Sequence, residues 1–178
     1  MDFKPIIDTL MRRLYPLNRS LTGEDNRKTL RLIREIIPLN ILEYASGTNV
    51  YDWTVPDEWN VKDAWIKNSK GKKVVDFKES NLHLVSYSVP IHETMSYKKI
   101  SKKLFFLEDL PDAIPYRTSY YKKDWGFCIA KSQFDTKFME NEKYEVLIDS
   151  SLAPGSMSIG EFLIKGKSEK EILVSSYI

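Results

Sequence analysis

Residues 159–178 read IGEFLIKGKSEKEILVSSYI, and this pattern predicts two strands joined by a turn. The first strand is predicted at Ile159–Ile164, and the turn at Lys165–Ser168, where a glycine lies among polar residues. The second strand, Glu171–Ile178, contains the continuous apolar run Ile172-Leu173-Val174. Such a run is typical of a central strand that is covered on both faces. We therefore expect an α/β fold (α+β over this length) whose main sheet includes this segment. We also expect the natural chain to continue beyond it.

Two amphipathic helices are predicted at the start of the chain. The first has apolar residues at spacings of three and four, and Pro16 ends it; its apolar face comprises Phe3, Ile6, Ile7, Leu10, Met11 and Leu14. Thr22-Gly23-Glu24-Asp25 is an approximate capping box that begins the second helix. In that helix we expect Leu30, Ile33 and Ile37 to face inward.

The middle of the chain shows the alternating pattern of strands. We predict strands at Ile41–Tyr44, Tyr51–Val55, Ala64–Ile66, Val74–Phe77, Leu82–Val89 and Tyr144–Asp149. Asn68–Gly71 is predicted to form a hairpin turn. Ser96 is expected to cap a short basic helix, and Ser132 with Asp135 to form a second capping box.

Composition excludes several classes of protein. The chain has 178 residues and a formal net charge of +2, which gives no basic footprint for nucleic acid. No apolar run approaches the roughly 20 residues that cross a bilayer. The single cysteine, Cys128, cannot form an internal disulfide, and Met1–Leu14 lacks the features of a signal peptide. We therefore expect a cytoplasmic protein without nucleic-acid or membrane partners.

No complete catalytic or metal motif is present in the sequence. His92-Glu93 begins like the zinc motif HExxH, but Ser96 occupies the position of the second histidine. His83 is expected to be a surface or partly packed side chain. Cys128 has no histidine near it in sequence, so we expect a buried structural thiol. No nucleophile elbow or phosphate-binding loop occurs.

Two aromatic clusters are the most distinctive feature of the sequence. One comprises Tyr51-Asp52-Trp53 with Trp59 and Trp65, and the other comprises Tyr116-Arg117 with Tyr120, Tyr121 and Trp125. Aromatic rings with an interspersed Asp and Arg could line a ligand pocket. The same residues could instead form the core of a small β domain.

Several segments together resemble bacterial aminopeptidase-like zinc exopeptidases. These segments are Leu17–Gly23, Ser46–Thr48, Asp52–Trp59, Ile114–Tyr121, Trp125–Cys128, Gly160-Glu161 and Ile172–Ile178. The resemblance implies a mixed sheet with helices, interrupted by a mostly-β inserted domain, and often a C-terminal winged helix. The partial core would comprise residues 1–49 and 150–178, and the insertion residues 50–149.

The resemblance also implies zinc-dependent hydrolysis of a peptide or amide bond. Zinc lowers the pKa of bound water to about 7 and polarises the scissile carbonyl. In this family the first zinc-binding histidine follows the strand that matches Glu171–Ile178. We therefore expect no metal ligand, no catalytic residue and no bound zinc in this chain. It would supply the wall of the substrate pocket, for which the candidates are Arg19, Asp52, Trp53, Arg117, Tyr120 and Trp125.

Two alternatives remain open from the sequence. The aromatic clusters could make the chain an independent, non-catalytic module that binds a ligand or peptide. The lysine-rich segment 98–103 could instead serve a nucleic-acid accessory role, although a solvated helix face is the simpler interpretation. The apolar strand at the end of the sequence is expected to promote self-association through its exposed edge.

Overall fold

A computed structural model describes residues 3–178, and this part of the chain divides into two compact units. We call residues 3–58 with 153–178 the terminal unit, and residues 59–152 the central unit. Helices and several small sheets give a mixed α/β architecture, as predicted. The first two residues of the predicted core segment 1–49 lie outside the described residues. That residues 50–149 are an insertion into a peptidase core stays a prediction.

The elements follow one another in an order that mixes short helices with short strands. The α-helices are α1 (Lys4–Leu14), α2 (Glu24–Arg34), α3 (Tyr97–Ile100) and α4 (Lys131–Lys137). The strands are β1 (Asn40–Ala45), β2 (Asn49–Val50), β3 (Trp53–Thr54), β4 (Glu58–Lys67), β5 (Lys73–Asp76), β6 (Ile91–Ser96), β7 (Leu104–Phe105), β8 (Phe127–Cys128), β9 (Lys143–Ala153) and β10 (Ser156–Glu161). Two 3₁₀ turns lie at Asn81–His83 and Ser101–Lys103. No helix within residues 3–178 has the length and apolar character to cross a bilayer.

In the terminal unit, β1 pairs antiparallel with β10 in an unbroken register. The predicted helix α1 is confirmed, but none of its residues is buried. On its apolar face, Leu10 and Leu14 are half-buried, whereas the other four residues are exposed. In α2, Leu30 is buried as predicted, whereas the prediction for Ile37 is wrong because that side chain is exposed beyond the end of the helix.

The start of α2 differs from the predicted capping box. Gly23 is the N-cap residue, with a φ of 115° that favours glycine, and the Thr22 hydroxyl donates to the Asp57 carbonyl at 3.4 Å. The Asp25 carboxylate instead accepts the backbone N–H of Asn18 at 2.9 Å. The acidic first turn therefore anchors the preceding loop, because its carboxylate binds a loop amide.

Two predicted strands of the terminal unit are wrong. Tyr51–Val55 is not a half-buried strand, because β2 and β3 form a tight hairpin with Tyr51 exposed at its turn at a φ of 54°. Glu171–Ile178 forms no strand, and the side chain of Ile172 is 92% exposed. An apolar run becomes a central strand only where neighbouring strands pair with it, and no described strand pairs with this segment.

The central unit is built on a four-stranded sheet with the order β5-β4-β9-β6. The predicted hairpin at Asn68–Gly71 is confirmed, since it joins β4 to β5. One core cluster lies in this unit, and its largest fully buried side chains include Trp59, Tyr144, Phe127, Ile66, Ile100, Ile129 and Ile148.

Two local predictions in the central unit need correction. Leu82–Val89 is not a strand: it begins in the 3₁₀ turn at Asn81–His83 and then makes only single bridges at Leu84 and Ser86. Helix α4 is not capped by Ser132 with Asp135. It follows the N-cap residue Ala130, whose N–H donates to the Gln133 side chain at 3.2 Å. Ser96 is the N-cap residue of α3, as predicted.

Candidate functional site

The structure distributes the six predicted substrate-binding residues over both units. In the terminal unit, Arg19 lies half-buried in the loop before α2, while Asp52 and Trp53 lie on the β2–β3 hairpin. In the central unit, Arg117, Tyr120 and Trp125 share one loop. We call residues 116–125 the aromatic loop. Each of the three packs on a different neighbour: Arg117 on Phe105, Tyr120 on Tyr87, and Trp125 near Lys103. Because they share one loop of the central unit, the aromatic loop is the strongest candidate site within a single unit.

The first aromatic cluster of the sequence is not one cluster in the structure. Tyr51 and Asp52 are exposed on the hairpin of the terminal unit. Trp59 and Trp65 are buried in the central unit, where Trp59 belongs to the core cluster. For these two tryptophans, the interpretation as a β-domain core is the correct one.

The aromatic loop is tied by backbone hydrogen bonds to the segment Ser86–Val89. Ser86 N–H donates to the Arg117 carbonyl at 2.9 Å, and Ser119 N–H donates to the Ser86 carbonyl at 2.8 Å. Further along the loop, Val89 N–H donates to the Asp124 carbonyl at 3.0 Å. Bonds near both ends of the loop therefore fix its path, although almost no regular strand is present.

Within the segment that holds the loop, Tyr87 adopts a left-handed backbone conformation with a φ of 64°. This conformation is unusual for a bulky residue and costs on the order of 1–3 kcal/mol, so the surroundings must enforce it. The next residue, Ser88, supplies that restraint. Its carbonyl accepts the Trp59 indole N–H at 3.0 Å and the Ser150 hydroxyl at 2.8 Å, and its own hydroxyl donates to the Val85 carbonyl at 2.6 Å.

The strained backbone places the Tyr87 ring in a row of four rings, which we call the aromatic row. Trp59 stacks on Tyr87 with ring centroids 5.7 Å apart, and Tyr87 meets the edge of Tyr120 at 5.5 Å. Tyr120 in turn packs against Tyr121 at 4.5 Å. Such offset and edge-to-face contacts are the favourable geometries for aromatic pairs. The row leads from the buried core to the exposed ring of Tyr121.

Positive charges accompany the aromatic loop. The Arg117 guanidinium lies 4.1 Å from the centre of the Phe105 ring, and Lys103 Nζ lies 5.4 Å from the centre of the Trp125 ring. Lys103 also forms an ion pair with Asp124, and this hydrogen bond lowers the pKa of the Asp124 carboxyl. The loop carboxylate is thus already engaged by a lysine, while Arg117 is held against an aromatic face.

Zinc, the metal that the resemblance implies, requires about four nitrogen, sulfur or oxygen ligands around one point. Among residues 3–178 no group of three or more His, Cys, Asp or Glu side chains could hold a metal ion. His92 Nε2 lies 3.0 Å from Glu145 on an exposed part of the sheet, and that pair has no third ligand within the same residues. The described residues therefore do not fit a zinc site. That the chain binds no zinc stays a prediction.

His83 and Cys128 form a buried structural pair. The prediction of a surface or partly packed His83 is wrong, because the ring is 2% exposed and its Nδ1–H donates to the Cys128 carbonyl at 2.8 Å. Burial lowers the pKa of His83 and favours the neutral imidazole. Burial also raises the pKa of the Cys128 thiol to about 11, so this buried cysteine is not an activated nucleophile.

In the terminal unit, polar groups hold the loop that carries Arg19. The Asn26 side chain accepts the Ser20 N–H at 2.9 Å and donates to the Ser20 carbonyl. Arg27 binds Glu58 through both guanidinium NH groups, at 2.9 and 2.6 Å, and Glu58 also accepts the Ser156 N–H at 3.3 Å. The contacts of Asn26 fix the loop, and those of Glu58 join α2 to the beginnings of β4 and β10.

Tyr87 and Ser88 are the site residues that sequence reasoning missed. Both lie in a stretch whose alternation of polar and apolar residues predicts an ordinary strand. A left-handed residue in such a stretch is normally signalled by glycine, asparagine or aspartate, and tyrosine gives no such signal. The contacts of Trp59 and Ser150 with Ser88 span 29 and 62 residues, so only the folded structure reveals them.

The chain is similar to two proteins that have been described. A "Putative polysaccharide biosynthesis protein with aminopeptidase-like domain" from Clostridium acetobutylicum is 52% identical over 171 residues, which cover 96% of this chain. A crystal structure described as a "putative peptidase" from the same organism aligns with a TM-score of 0.88, at 51% identity over 93% of this chain. The chain spans 39% of the length of each of these relatives.

The family match centres on the unit that carries the aromatic loop. Residues 58–151 match the family described as "Domain of unknown function (DUF2172)". This range coincides closely with the central unit, residues 59–152. Because the match covers more than half of the 178 residues, the chain belongs to the DUF2172 family.

Proposed function

We propose that this chain is the N-terminal part of a zinc-dependent, aminopeptidase-like hydrolase that cleaves a peptide or amide bond. The observation that carries the proposal is the 52% identity to a relative with an aminopeptidase-like domain, over 96% of this chain but 39% of the relative. The aligned crystal structure described as a "putative peptidase" supports the same class at 51% identity.

The metal site of this hydrolase is proposed to lie on residues other than 3–178, because those residues do not fit zinc. When bound, zinc would supply an activated water and polarise the scissile carbonyl. The part played by this chain is to bind and orient the substrate. Loops that a rigid scaffold positions are a common location for such contacts.

The aromatic loop is the proposed wall of the substrate pocket. Its hydrogen bonds to Ser86 and Val89 and its aromatic row fix the rings before a ligand arrives. A wall that is already ordered loses little conformational freedom when it binds, which favours affinity and orientation. Of the six residues predicted from the sequence, Arg117, Tyr120 and Trp125 belong to this wall.

The alternative of an independent binding module is less well supported. It shares the aromatic loop with the proposal above, but it does not account for the aminopeptidase-like description of a relative that is half identical over nearly the whole chain. The description of that relative as a polysaccharide biosynthesis protein adds one substrate possibility: an amide bond on a saccharide. Amide-bearing saccharides therefore belong in the substrate screen beside peptides.

The test is to express the protein from its complete natural gene and to measure zinc by elemental analysis together with hydrolysis of a panel of aminoacyl amides and peptides. We expect about one or two zinc ions per chain, and hydrolysis that a chelator abolishes and added zinc restores. The 178-residue chain is the matched control, for which we expect neither stoichiometric zinc nor hydrolysis. A natural protein without zinc and without hydrolysis of any amide in the panel would overturn the proposal.

A further inference from the structure

The aromatic row ends on a ring that is held firmly and yet faces solvent. Trp59, at the inner end, is 2% exposed, whereas Tyr121, at the outer end, is 92% exposed. Tyr121 remains packed against Tyr120 at 4.5 Å, and Tyr120 against the buried Tyr87 at 5.5 Å. The exposed ring is therefore connected by direct ring contacts to the core of the central unit.

The backbone under this ring is also fixed. The turn that carries Tyr121 is closed by the Lys122 N–H, which donates to the Ser119 carbonyl at 3.0 Å. The Ser119 hydroxyl makes contacts of 3.2 Å with the Ser86 carbonyl and 3.3 Å with the Asp124 carbonyl. Preorganised aromatic rings are typical of binding surfaces, because they offer contact area at a small entropic cost.

Positive charges outnumber negative charges in the loop that carries Tyr121, where Arg117, Lys122 and Lys123 accompany the one carboxylate of Asp124. Lys122 and Lys123 follow the ring directly and are exposed, and Arg117 lies in the same loop. In the part of the chain that the structure describes, no carboxylate lies within 4.0 Å of any of these three cations. Asp124 forms its ion pair with Lys103, and Lys122 acts on the same carboxylate only at longer range. The charge beside the ring therefore favours an anionic partner.

We propose that Tyr121, Lys122 and Lys123 form a subsite for an acidic peptide segment, in which an apolar or aromatic side chain packs on the Tyr121 ring and neighbouring carboxylates pair with the lysines. This inference rests on the proposed function for the choice of a peptide, and it narrows the substrate class to acidic peptides. The Tyr121 ring would contact an apolar or aromatic side chain of the peptide. The two lysines would favour peptides with negative charges over peptides with positive charges.

The terminal unit contains a natural control for this subsite. Tyr51 is as exposed as Tyr121 and also lies in a tight turn, but the residue that follows it is Asp52 rather than a lysine. A general affinity of exposed tyrosines for peptides would affect both positions equally. The proposed subsite predicts that only Tyr121 matters for acidic peptides.

The experiment is a calorimetric titration of the 178-residue chain with an acetylated and amidated Glu-Phe-Glu peptide, beside the matching Lys-Phe-Lys peptide. We expect saturable binding of the acidic peptide, which added salt weakens, and no saturable binding of the basic one. Tyr121→Ala should weaken binding about tenfold, and the double substitution Lys122→Ser with Lys123→Ser about three- to tenfold. Tyr121→Phe and Tyr51→Ala should bind like the unsubstituted chain, and circular dichroism should show that every variant is folded.

Several results would overturn the subsite: no saturable binding of the acidic peptide, an equal loss in Tyr51→Ala, or equal affinity for the basic peptide. Tighter binding of an acidic oligosaccharide with the same dependence on Tyr121 would reject the peptide class. The titration needs neither metal nor hydrolysis. Peptide binding by the 178-residue chain without hydrolysis by the natural protein would therefore support the subsite and contradict the proposed function. Hydrolysis by the natural protein without peptide binding by the 178-residue chain would support the proposed function and contradict the subsite.

Discussion

The central and terminal units differ in how they are held together. The central unit buries aromatic and aliphatic side chains such as Trp59, Phe127 and Tyr144 in one core. In the terminal unit, Leu30 and Val55 are the only apolar side chains of this size buried among the described residues, and no residue of α1 is buried. The central unit therefore has the core of an independent domain, and the terminal unit relies much more on polar contacts.

This contrast indicates where stability lies in the chain and which unit supports the proposed binding loop. Burial of apolar surface stabilises by about 25 cal/mol per Å², so the unit with the larger core should unfold last. A binding loop needs a rigid scaffold, and the aromatic loop lies on the unit that provides one. The terminal unit presents its apolar residues, including Ile172 and Leu173, to solvent. Larger exposed apolar patches mark interaction sites or aggregation liabilities, and self-association of the 178-residue chain through this segment stays a proposal.

The largest effect is expected in the core of the central unit. Ile148 is 1% exposed, so Ile148→Ala should leave a cavity and lower the free energy of unfolding by about 2–5 kcal/mol. The matched control is Ile172→Ala, at an exposed isoleucine of the terminal unit. This substitution should change the free energy of unfolding by less than about 0.5 kcal/mol. Urea denaturation followed by tryptophan fluorescence measures both, and equal effects would contradict the contrast between the units.

A smaller loss is expected at the junction between the aromatic loop and the core. A Cβ on Gly126 would lie 2.6 Å from the Phe105 ring and 3.0 Å from the Lys103 carbonyl, and the backbone group cannot move aside easily. Gly126→Ala should therefore cost about 1–3 kcal/mol of unfolding free energy. Gly166→Ala is the control, because its Cβ would meet nothing closer than 3.8 Å. Equal thermal stability of these two variants would contradict the close packing of Gly126 beneath the loop.

In the terminal unit, the Arg27–Glu58 pair is the polar contact most protected from water. The side chains are 22% and 14% exposed, so Arg27→Met leaves a poorly solvated carboxylate and should cost about 1–2 kcal/mol. Arg12→Met is the control, since Arg12 and Asp8 are 78% and 59% exposed and exposed pairs contribute little. Loss of α2 amide protection in the Arg27 variant alone is the expected readout, and equal loss in both variants would contradict it.

The pH dependence of stability should report on His83 in the central unit. Burial lowers its pKa in the folded state below the ordinary value of 6.5, so below pH 6.5 the unfolded chain binds the proton more readily. The folded state should therefore be stable above this pH and lose up to about 1.4 kcal/mol per pH unit as the pH falls toward the folded-state pKa.

The variant His83→Gln separates this contribution from other titrating groups. It should flatten the pH dependence of the unfolding free energy between pH 6.5 and the onset of carboxylate titration. Urea unfolding at a series of pH values measures the slope. If the unfolding free energy of His83→Gln still falls with the same slope below pH 6.5, another titrating group causes the pH dependence.

Local sequence patterns predicted the elements that depend on local interactions. Helix α1 follows from apolar spacing and Pro16, and the hairpin at Asn68–Gly71 follows from its turn residues. For the helix and the hairpin, the residues that fix the conformation lie close together in sequence. The strand β9 was also predicted, from the alternation that begins at Tyr144, but it additionally needs its pairing with the distant strand β6.

The errors arose where distant contacts decide the conformation. The apolar run at Ile172 predicts a strand, but pairing needs a neighbouring strand that the described residues do not provide. The alternation around Tyr87 predicts a strand, yet hydrogen bonds from Trp59 and Ser150 hold that segment in another conformation. The candidate site was therefore only partly predictable: the sequence indicated Arg117, Tyr120 and Trp125, but not the strained residue on which the aromatic row rests.

Hydrogen exchange of the whole 178-residue chain, resolved along the sequence by mass spectrometry, tests the contrast between the units most directly. We expect the strongest protection in β4 and β9, which belong to the central sheet. We also expect clear protection of two loop amides, because Ser119 N–H is bonded to the Ser86 carbonyl and Lys122 N–H to the Ser119 carbonyl. Residues 162–178 and α1 should exchange far faster. Uniform protection across both units, or an aromatic loop that exchanges as fast as residues 162–178, would contradict a rigid binding loop on a self-contained central unit.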